Sequence, residues 1–300
     1  MTVDPAAGAP RLGIGLMVTP AFAPLLGEPG LVDFLAVTPD MFWRDHGPGA
    51  RPRFTDLAAW VDLLEAAGRP QVAHHIGLSI ASARPPDPRY VRQMAAWARR
   101  WDCCWISEHL AFVAIQPEGG AGAAGLALTA PFDAELLDLV VARARAVIAA
   151  TGRPFLLENS ARFVQFADDD MDEASFLNRF CARAGAGLLL DLHNLHCNAT
   201  NFGFSGHAFL DRLDLAHVVE VHIAGGAELG GMWSDAHAGD PPEPVWDLLE
   251  DLVPRAPNLR GISFEMHESY LAVTGLDRVA AVLARARAIW QRHQGLAVPA

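Results

Sequence analysis

The sequence predicts an α/β chain folded as a single (β/α)8 barrel, and three observations carry that expectation. Eight short apolar runs alternate with stretches of helical period, and eight such units in about 250 residues match a closed barrel. The runs are apolar throughout, as in Leu188-Leu189-Leu190, which is how strands covered on both faces read. Six of the eight deliver a histidine or a carboxylate at or near their C-terminal ends, where such a barrel builds its site. A doubly wound open sheet is the alternative, because alternation alone does not demand closure.

Taken in order, residues 1–11 read as a flexible tail and 12–295 as one barrel domain without an internal linker. Strands are expected at 12–18 and 34–38, then a helix at 55–67 where apolar residues recur at helical spacing. The third strand, 71–79, contains His74-His75, and a helix follows at 89–101. The fourth, 103–112, contains Ser107-Glu108-His109. Gly and Ala crowd residues 118–127, which reads as a loop. The helix at 131–150 has Pro131 near its start and Gly152 past its end. The fifth strand, 154–158, ends on Glu158, and a helix covers 171–184. The sixth opens the stretch 188–198, Leu-Leu-Leu-Asp-Leu-His-Asn-Leu-His-Cys-Asn, which turns abruptly from apolar to polar. A short helix at 208–215 precedes the seventh strand, 218–224, which holds His222. A long loop at 225–244 carries Asp235 and His237. A helix at 245–252, the eighth strand at 260–265 ending on Glu265, and a last helix at 277–293 complete the chain.

Composition narrows the function. With 300 residues, 51% of them hydrophobic, the chain can bury one large core. Its net charge of −12 repels phosphate backbones, so no nucleic-acid partner is expected. No run reaches the roughly 18 apolar residues of a membrane span, and residues 1–11 lack the pattern of a secretory signal. The four cysteines, Cys103, Cys104, Cys181 and Cys197, form neither a CxxC pair nor a disulfide framework, which points to core packing in a reducing cytoplasm.

The strand ends collect His74, His109, Glu158, Asp191, Asn194, His222, Asp235, His237 and Glu265. A lone histidine near a strand end is more often structural than a ligand. Asp235-x-His237 in an extended loop points both side chains one way, because the strand period is two. The sum is what counts, since six strands bringing such residues to one rim exceed coincidence. Imidazole and carboxylate without thiolate suit iron, manganese or zinc. So many ligands exceed the need of one ion, so two or three ions are expected, with Glu158 or Asp191 bridging. Glu108 is expected to face a helix, Trp233 to cover substrate, Trp246 to anchor its helix, and Asp168-Asp169-Asp170 to be a solvated helix start.

Several segments resemble the DUF692 family of multinuclear non-haem iron-dependent oxidative enzymes. They are His74-His75-Ile76-Gly77-Leu78-Ser79, Ser107-Glu108-His109-Leu110-Ala111-Phe112, Leu157-Glu158-Asn159, Leu190-Asp191-Leu192-His193-Asn194, Glu220-Val221-His222-Ile223-Ala224-Gly225, and Asp235-x-His237 before Pro244-Val245-Trp246. The resemblance implies a TIM barrel holding two or three irons, mixed Fe(II) and Fe(III), with O2 as co-substrate. It implies oxidation of a residue, often cysteine, in a ribosomally made precursor peptide, often beside a partner protein that grips the leader peptide. Carried over by position, it makes His74, His109, Glu158, Asp191, His222, Asp235, His237 and Glu265 the iron ligands, with Asn194 in a position facing metal and Glu158, Asp191 and His222 central to catalysis.

Four positions depart from that pattern: Met17 where Arg is common, His193 as the first of a usual Asn pair, Gly226 where a His follows Ala-Gly, and His267 where the eighth strand commonly ends Glu-x-Asp. The primary ligands are kept, so the departures are expected to bear on the substrate-facing and third-iron surroundings. A divalent-metal sugar isomerase or lyase on the same barrel is the second expectation, needing metal but no oxygen. An endonuclease uses similar ligands, but the chain has no basic cluster near the rim.

Overall fold

A computed structural model describes residues 4–115 and 122–294. Eight parallel strands close into a barrel: β1 Gly13–Met17, β2 Phe34–Val37, β3 Gln71–His75, β4 Ile106–His109, β5 Phe155–Glu158, β6 Gly187–Asp191, β7 Val218–Ala224 and β8 Gly261–Glu265. Each pairs with the next in sequence, and β1 also pairs with β8 through Gly13–Gly261 to Leu16–Phe264. That last pairing excludes the open sheet. The outer helices are α1 Ala58–Ala67, α2 Pro88–Arg100, α3 Ala134–Thr151, α4 Glu173–Ala184, α5 Leu192–Phe202, α6 Gly206–Arg212, α7 Glu243–Leu252 and α8 Leu276–Gln294. Their ends obey local chemistry. Asp133 accepts the Leu136 N–H at 2.7 Å at the start of α3, and Gly152 takes the left-handed conformation that ends it.

Several segments differ from expectation. The third and fourth strands are shorter, because their last residues leave the ladder for loops. Beyond β4, Phe112–Ile115 pairs antiparallel with Gly122–Leu128. The expected loop at 118–127 is thus a strand from Gly122 onward, while 118–121 lie outside the described residues. Gly and Ala have weak strand propensity, so only the partner strand reveals it. The loop after β7 holds a hairpin, Ala227–Leu229 with Met232–Ser234, turned at Gly230-Gly231. Both glycines have positive φ, 61° and 82°, as a two-residue hairpin turn requires. A further hairpin, Trp43–Asp45 with Phe54–Asp56, takes the start of the stretch expected as helix. Residues 4–11, expected to be loose, are held: Ala6 is fully buried, Asp4 pairs with Arg260, and Arg260 also donates to the Ala9 carbonyl at 2.8 Å.

Strand period two builds the interior in layers. Val72 lies two residues below His74, Leu156 below Glu158, and Leu189 below Asp191, so one face of each strand gives an apolar floor and then a polar rim. The floor is a cluster of Ala6, Phe34, Ala36, Val72, Trp105, Leu156, Leu189 and Val219. A larger cluster packs the outer helices against the barrel. Phe34 is accommodated because β1 and β8 carry Gly15 and Gly261 against its ring, where a Cβ would collide.

Phe34 thus supports the floor on which the rim stands. Phe34→Ala is expected to lower unfolding free energy by about 3–5 kcal/mol, read from denaturant midpoints at unchanged slope.

Candidate metal centre

The rim gathers most of the candidate residues from separate strands. His74 comes from β3, His109 from β4, Glu158 from β5, Asp191 from β6, His222 from β7 and Glu265 from β8, each at or near the C-terminal end of its strand. Three groups have donor atoms all within 4.8 Å of one another: His74, His109 and Glu158; His74, His222 and Glu265; and Glu158, Asp191 and His222. Glu158 Oε2 lies 3.2 Å from both His74 Nε2 and His109 Nε2, while its Oε1 lies 3.8 Å from His222 Nδ1. Glu265 does the same on the other side, with Oε1 3.2 Å from His222 Nδ1 and Oε2 3.3 Å from His237 Nε2.

The two carboxylates expected to bridge behave differently. Asp191 is the N-cap of α5, and its Oδ1 accepts the Asn194 N–H at 2.6 Å. One oxygen is therefore committed to the helix and only Oδ2 is left. Glu158 has both oxygens facing imidazoles, so it is the better bridge. The abrupt polar turn after the sixth strand is this helix start. Asn194 sits in its first turn and donates through Nδ2 to the Asn159 carbonyl at 3.1 Å.

Asp235 and His237 complete the rim from the loop after β7, with His237 Nε2 3.1 Å from Asp235 Oδ1. They do not meet through strand period. His237 has φ 49°, a left-handed backbone uncommon outside glycine, so the segment is not a regular extended strand.

A second ring of residues, not singled out from sequence, holds these side chains. Ser107 Oγ bonds His74 Nδ1 at 2.9 Å, which leaves Nε2 for the cluster. Glu108, expected to meet a helix, is close enough to Tyr90 of α2 to act on it electrostatically, accepts the Leu78 N–H at 2.9 Å and lies 3.6 Å from His109 Nδ1. Asn159 brackets the Asp191 backbone, accepting its N–H at 2.8 Å and donating to its carbonyl at 2.9 Å. Glu220, fully buried two residues below His222, accepts from Trp105 Nε1 at 2.6 Å and Ser263 Oγ at 2.5 Å. It stands 3.4 Å from His222 Nε2, which turns Nδ1 toward Glu158 and Glu265. Each lies one or two residues from a candidate ligand in sequence, so strand parity and adjacency were the available signal.

Two departures from the family pattern prove to be one spatial change. His193 fills the space beside Gly226, where any Cβ would overlap its ring. Its Nε2 accepts from Trp233 Nε1 at 3.2 Å, so its Nδ1–H donates to Asp235 Oδ1, also at 3.2 Å. Trp233 sits in the hairpin with its backbone clamped by Asn201 at 2.7 and 2.8 Å. Trp246 anchors α7 as expected, buried and bonded to the Pro241 carbonyl at 3.0 Å.

The electrostatics describe a cluster short of cations. Burial, with Asp191 and Glu265 close by, pushes Glu158 up to about 8, although His109 and His222 oppose the rise. Burial and Asp235 push Asp191 up to about 6. Burial disfavours charge on His109 and His237, but Glu158 and Asp235 respectively outweigh it and raise each to about 10. Burial and the nearby His109 keep His74 well below the usual range, hence neutral with a lone pair to donate. Glu158 Oε2, Asp191 Oδ2, Asn194 Oδ1 and His222 Nδ1 are buried without hydrogen-bond partners. Buried polar atoms without partners cost roughly 1–3 kcal/mol each, so four at one focus call for a common partner. Imidazole and carboxylate donors at this spacing fit divalent or trivalent metal ions. Above them opens a pocket of about 170 Å³ whose mouth includes Met17, Met41 and Ile76.

Two expectations follow. Glu220→Gln should weaken metal binding by about 10- to 100-fold in chelator competition, with unchanged circular dichroism, because it loosens the orientation of His222. The second concerns pH. In metal-free protein Glu158 rises from 4.5 to about 8, and His109 and His237 from 6.5 to about 10. A raised value means that the folded chain holds its proton more tightly than the unfolded chain, so this stability is lost as pH rises. Asp235 and Glu265, held low mainly by His237 and His222 against their burial, act oppositely in the acid range, and His74, held low by burial, acts oppositely below its ordinary value of 6.5. The melting temperature of chelated protein should therefore fall from about pH 6.5 to 10, and bound metal should flatten the slope, because it takes the place of the protons.

With the geometry in hand, comparison with known proteins is informative. The fold is shared with D-psicose 3-epimerase from Clostridium cellulolyticum H10, at TM-score 0.54 and 12% identity, covering 96% of this chain and all (100%) of that one. It is also shared with a xylose isomerase domain protein from Planctomyces limnophilus, at TM-score 0.56 and 16% identity over 95% and 100% of the two chains. Endonuclease IV from Thermus thermophilus aligns at TM-score 0.53 and 16% identity over 94% and 100%. At such identities the likeness extends to the TIM-barrel fold alone. The UPF0276 protein of Caulobacter vibrioides is 32% identical over 97% of this chain and 96% of its own. The UPF0276 protein of Bordetella bronchiseptica is 33% identical over 95% and 97%. The family model for the RiPP precursor modification enzyme MbnB/TglH/ChrH, where RiPP denotes a ribosomally synthesised and post-translationally modified peptide, matches residues 11–291. By that match and those relatives, the chain belongs to the MbnB/TglH/ChrH family of RiPP precursor modification enzymes, the DUF692 family.

Proposed function

We propose that this chain is a multinuclear non-haem iron enzyme that uses O2 to oxidise a residue, cysteine first among them, in a ribosomally made precursor peptide. The observation that carries the reading is the buried, cation-short cluster of imidazoles and carboxylates at the foot of a narrow apolar mouth. His74, His109, Glu158, Asp191, His222, Asp235, His237 and Glu265 would hold two or three irons, with Asn194 at their edge. Glu158, Asp191 and His222 lie at the centre of the arrangement. Bound iron would supply redox electrons and open positions for O2 and a substrate thiolate. The chain's own residues do the rest. Met17, Met41 and Ile76 restrict entry and exclude water, Glu220 and Ser107 fix ring orientations, and Glu158 ties the two halves of the cluster together. Cys197 is buried with its Sγ 3.8 Å from both ring nitrogens of His193, so on this reading it packs behind the cluster.

A pocket of about 170 Å³ suits one side chain presented by a peptide. The match to a family of RiPP precursor modification enzymes over residues 11–291 favours a peptide over a sugar as substrate. A separate protein that holds the leader peptide is the expected partner, and the acidic chain disfavours nucleic acid. No helix among the described residues is long and apolar enough to cross a membrane. Four free cysteines suit the reducing cytoplasm in which ribosomal peptides are made.

Purified protein should contain iron by metal analysis and consume O2 only with its peptide. Glu158→Ala or His222→Ala should cut turnover by at least about a hundredfold, more than loss of an outer-ring group does. Full turnover in an iron-free preparation, or product without O2 uptake, would overturn the reading.

A further inference from the structure

Beside the metal centre lies a cavity of about 510 Å³ that the chemistry above leaves unused. The segment after β5, the start of α4 and the far half of α5 enclose it. Glu173, in the first turn of α4, is 9% exposed and lines the cavity. Its Oε1 has no hydrogen-bond partner, and its Oε2 has only Asn198 Nδ2 at 3.5 Å.

The two cations in the lining each pair with an aspartate. Arg162 reaches Asp169 Oδ2 at 3.1 Å and lies 4.2 Å over the Phe132 ring, while its Nε is buried without a partner. Arg212 reaches Asp172 Oδ2, also at 3.1 Å. Glu173 and the exposed Asp170 are left over, so the lining carries four carboxylates against two guanidinium groups. Phe202, Phe204 and Phe209 form the apolar wall. A buried carboxylate oxygen without a donor, facing phenyl rings, matches an aliphatic stem that ends in a cation.

We infer that this cavity binds the cationic side chain of a lysine or arginine in a peptide. The inference rests on the peptide reading above for its biological occupant. Burial pushes Glu173 up to about 7 despite the nearby Arg162, consistent with a carboxylate lacking a close counter-ion.

The test uses the full chain and small probes. N-acetyl-lysine methylamide and N-acetyl-arginine methylamide are titrated calorimetrically, with the norleucine and glutamate analogues as controls. Saturable binding of the cationic probes, about tenfold or more tighter than the controls, is expected. Glu173→Gln should remove about tenfold of that affinity without changing metal content. Phe204→Ala and Asp170→Asn, at exposed positions, should each weaken it while preserving the fold. Equal affinity for norleucine, or cationic binding unchanged in all three variants, overturns the inference. The probes need neither iron nor O2, so the two readings fail separately. A chain that binds the lysine probe yet oxidises no peptide sinks only the iron reading. A chain that oxidises its peptide equally well after every lysine and arginine in it is replaced by norleucine sinks the cavity's role.

Discussion

Buried charge that the protein cannot neutralise by itself is the constraint from which the rest of this structure follows. Glu158, Asp191, Asp235 and Glu265 converge with His74, His109, His222 and His237 inside the mouth of a closed barrel. Like charges crowded in a low-dielectric space are unfavourable unless cations or protons intervene. In the metal-free chain protons take that part, which is why Glu158, His109 and His237 hold theirs so firmly. A fold carrying such a focus needs rigid support beneath it. The Trp105–Glu220–Ser263 network and the Asn159 clamp on Asp191 supply it in hydrogen bonds.

The barrel makes the focus possible through parity. Every inward-facing side chain has its counterpart two residues lower, so a polar rim implies an inner floor that must be filled. Phe34 and Trp105 fill much of it, edge to face at 6.3 Å between ring centres, with Ala6 from the N-terminal segment packed against the same cluster. Glycines in β1 and β8 make room for the phenyl ring. The floor keeps water from beneath the site, and the mouth narrows access from above.

His193 and Gly226 show how a family pattern can change without disorder. An imidazole and an absent side chain occupy neighbouring space, and a Cβ at position 226 would collide with the His193 ring. The imidazole connects Trp233 to Asp235, so the hairpin after β7 is coupled to one of the candidate ligands. His267, another departure, is exposed and lines the mouth, so it bears on what enters rather than on what is held.

The sequence by itself determined the alternation of strands and helices, and which strand ends carry imidazole or carboxylate. Those features are local: apolar runs, periodicity and residue type are written in consecutive positions. It also made the barrel the leading topology, but the pairing of β1 with β8 joins residues some 250 positions apart, and only the tertiary structure decided it. Small-residue strands such as Gly122–Leu128 were hidden for the same reason, since their pairing partner rather than their propensity makes them strands. The helix hydrogen bond that occupies one oxygen of Asp191 while both oxygens of Glu158 face imidazoles, the outer ring of Ser107, Glu108, Asn159 and Glu220, and the contact of His193 with Gly226 likewise appear only in three dimensions. Each depends on which atoms of distant residues come within hydrogen-bond reach, and residue type alone does not encode distance.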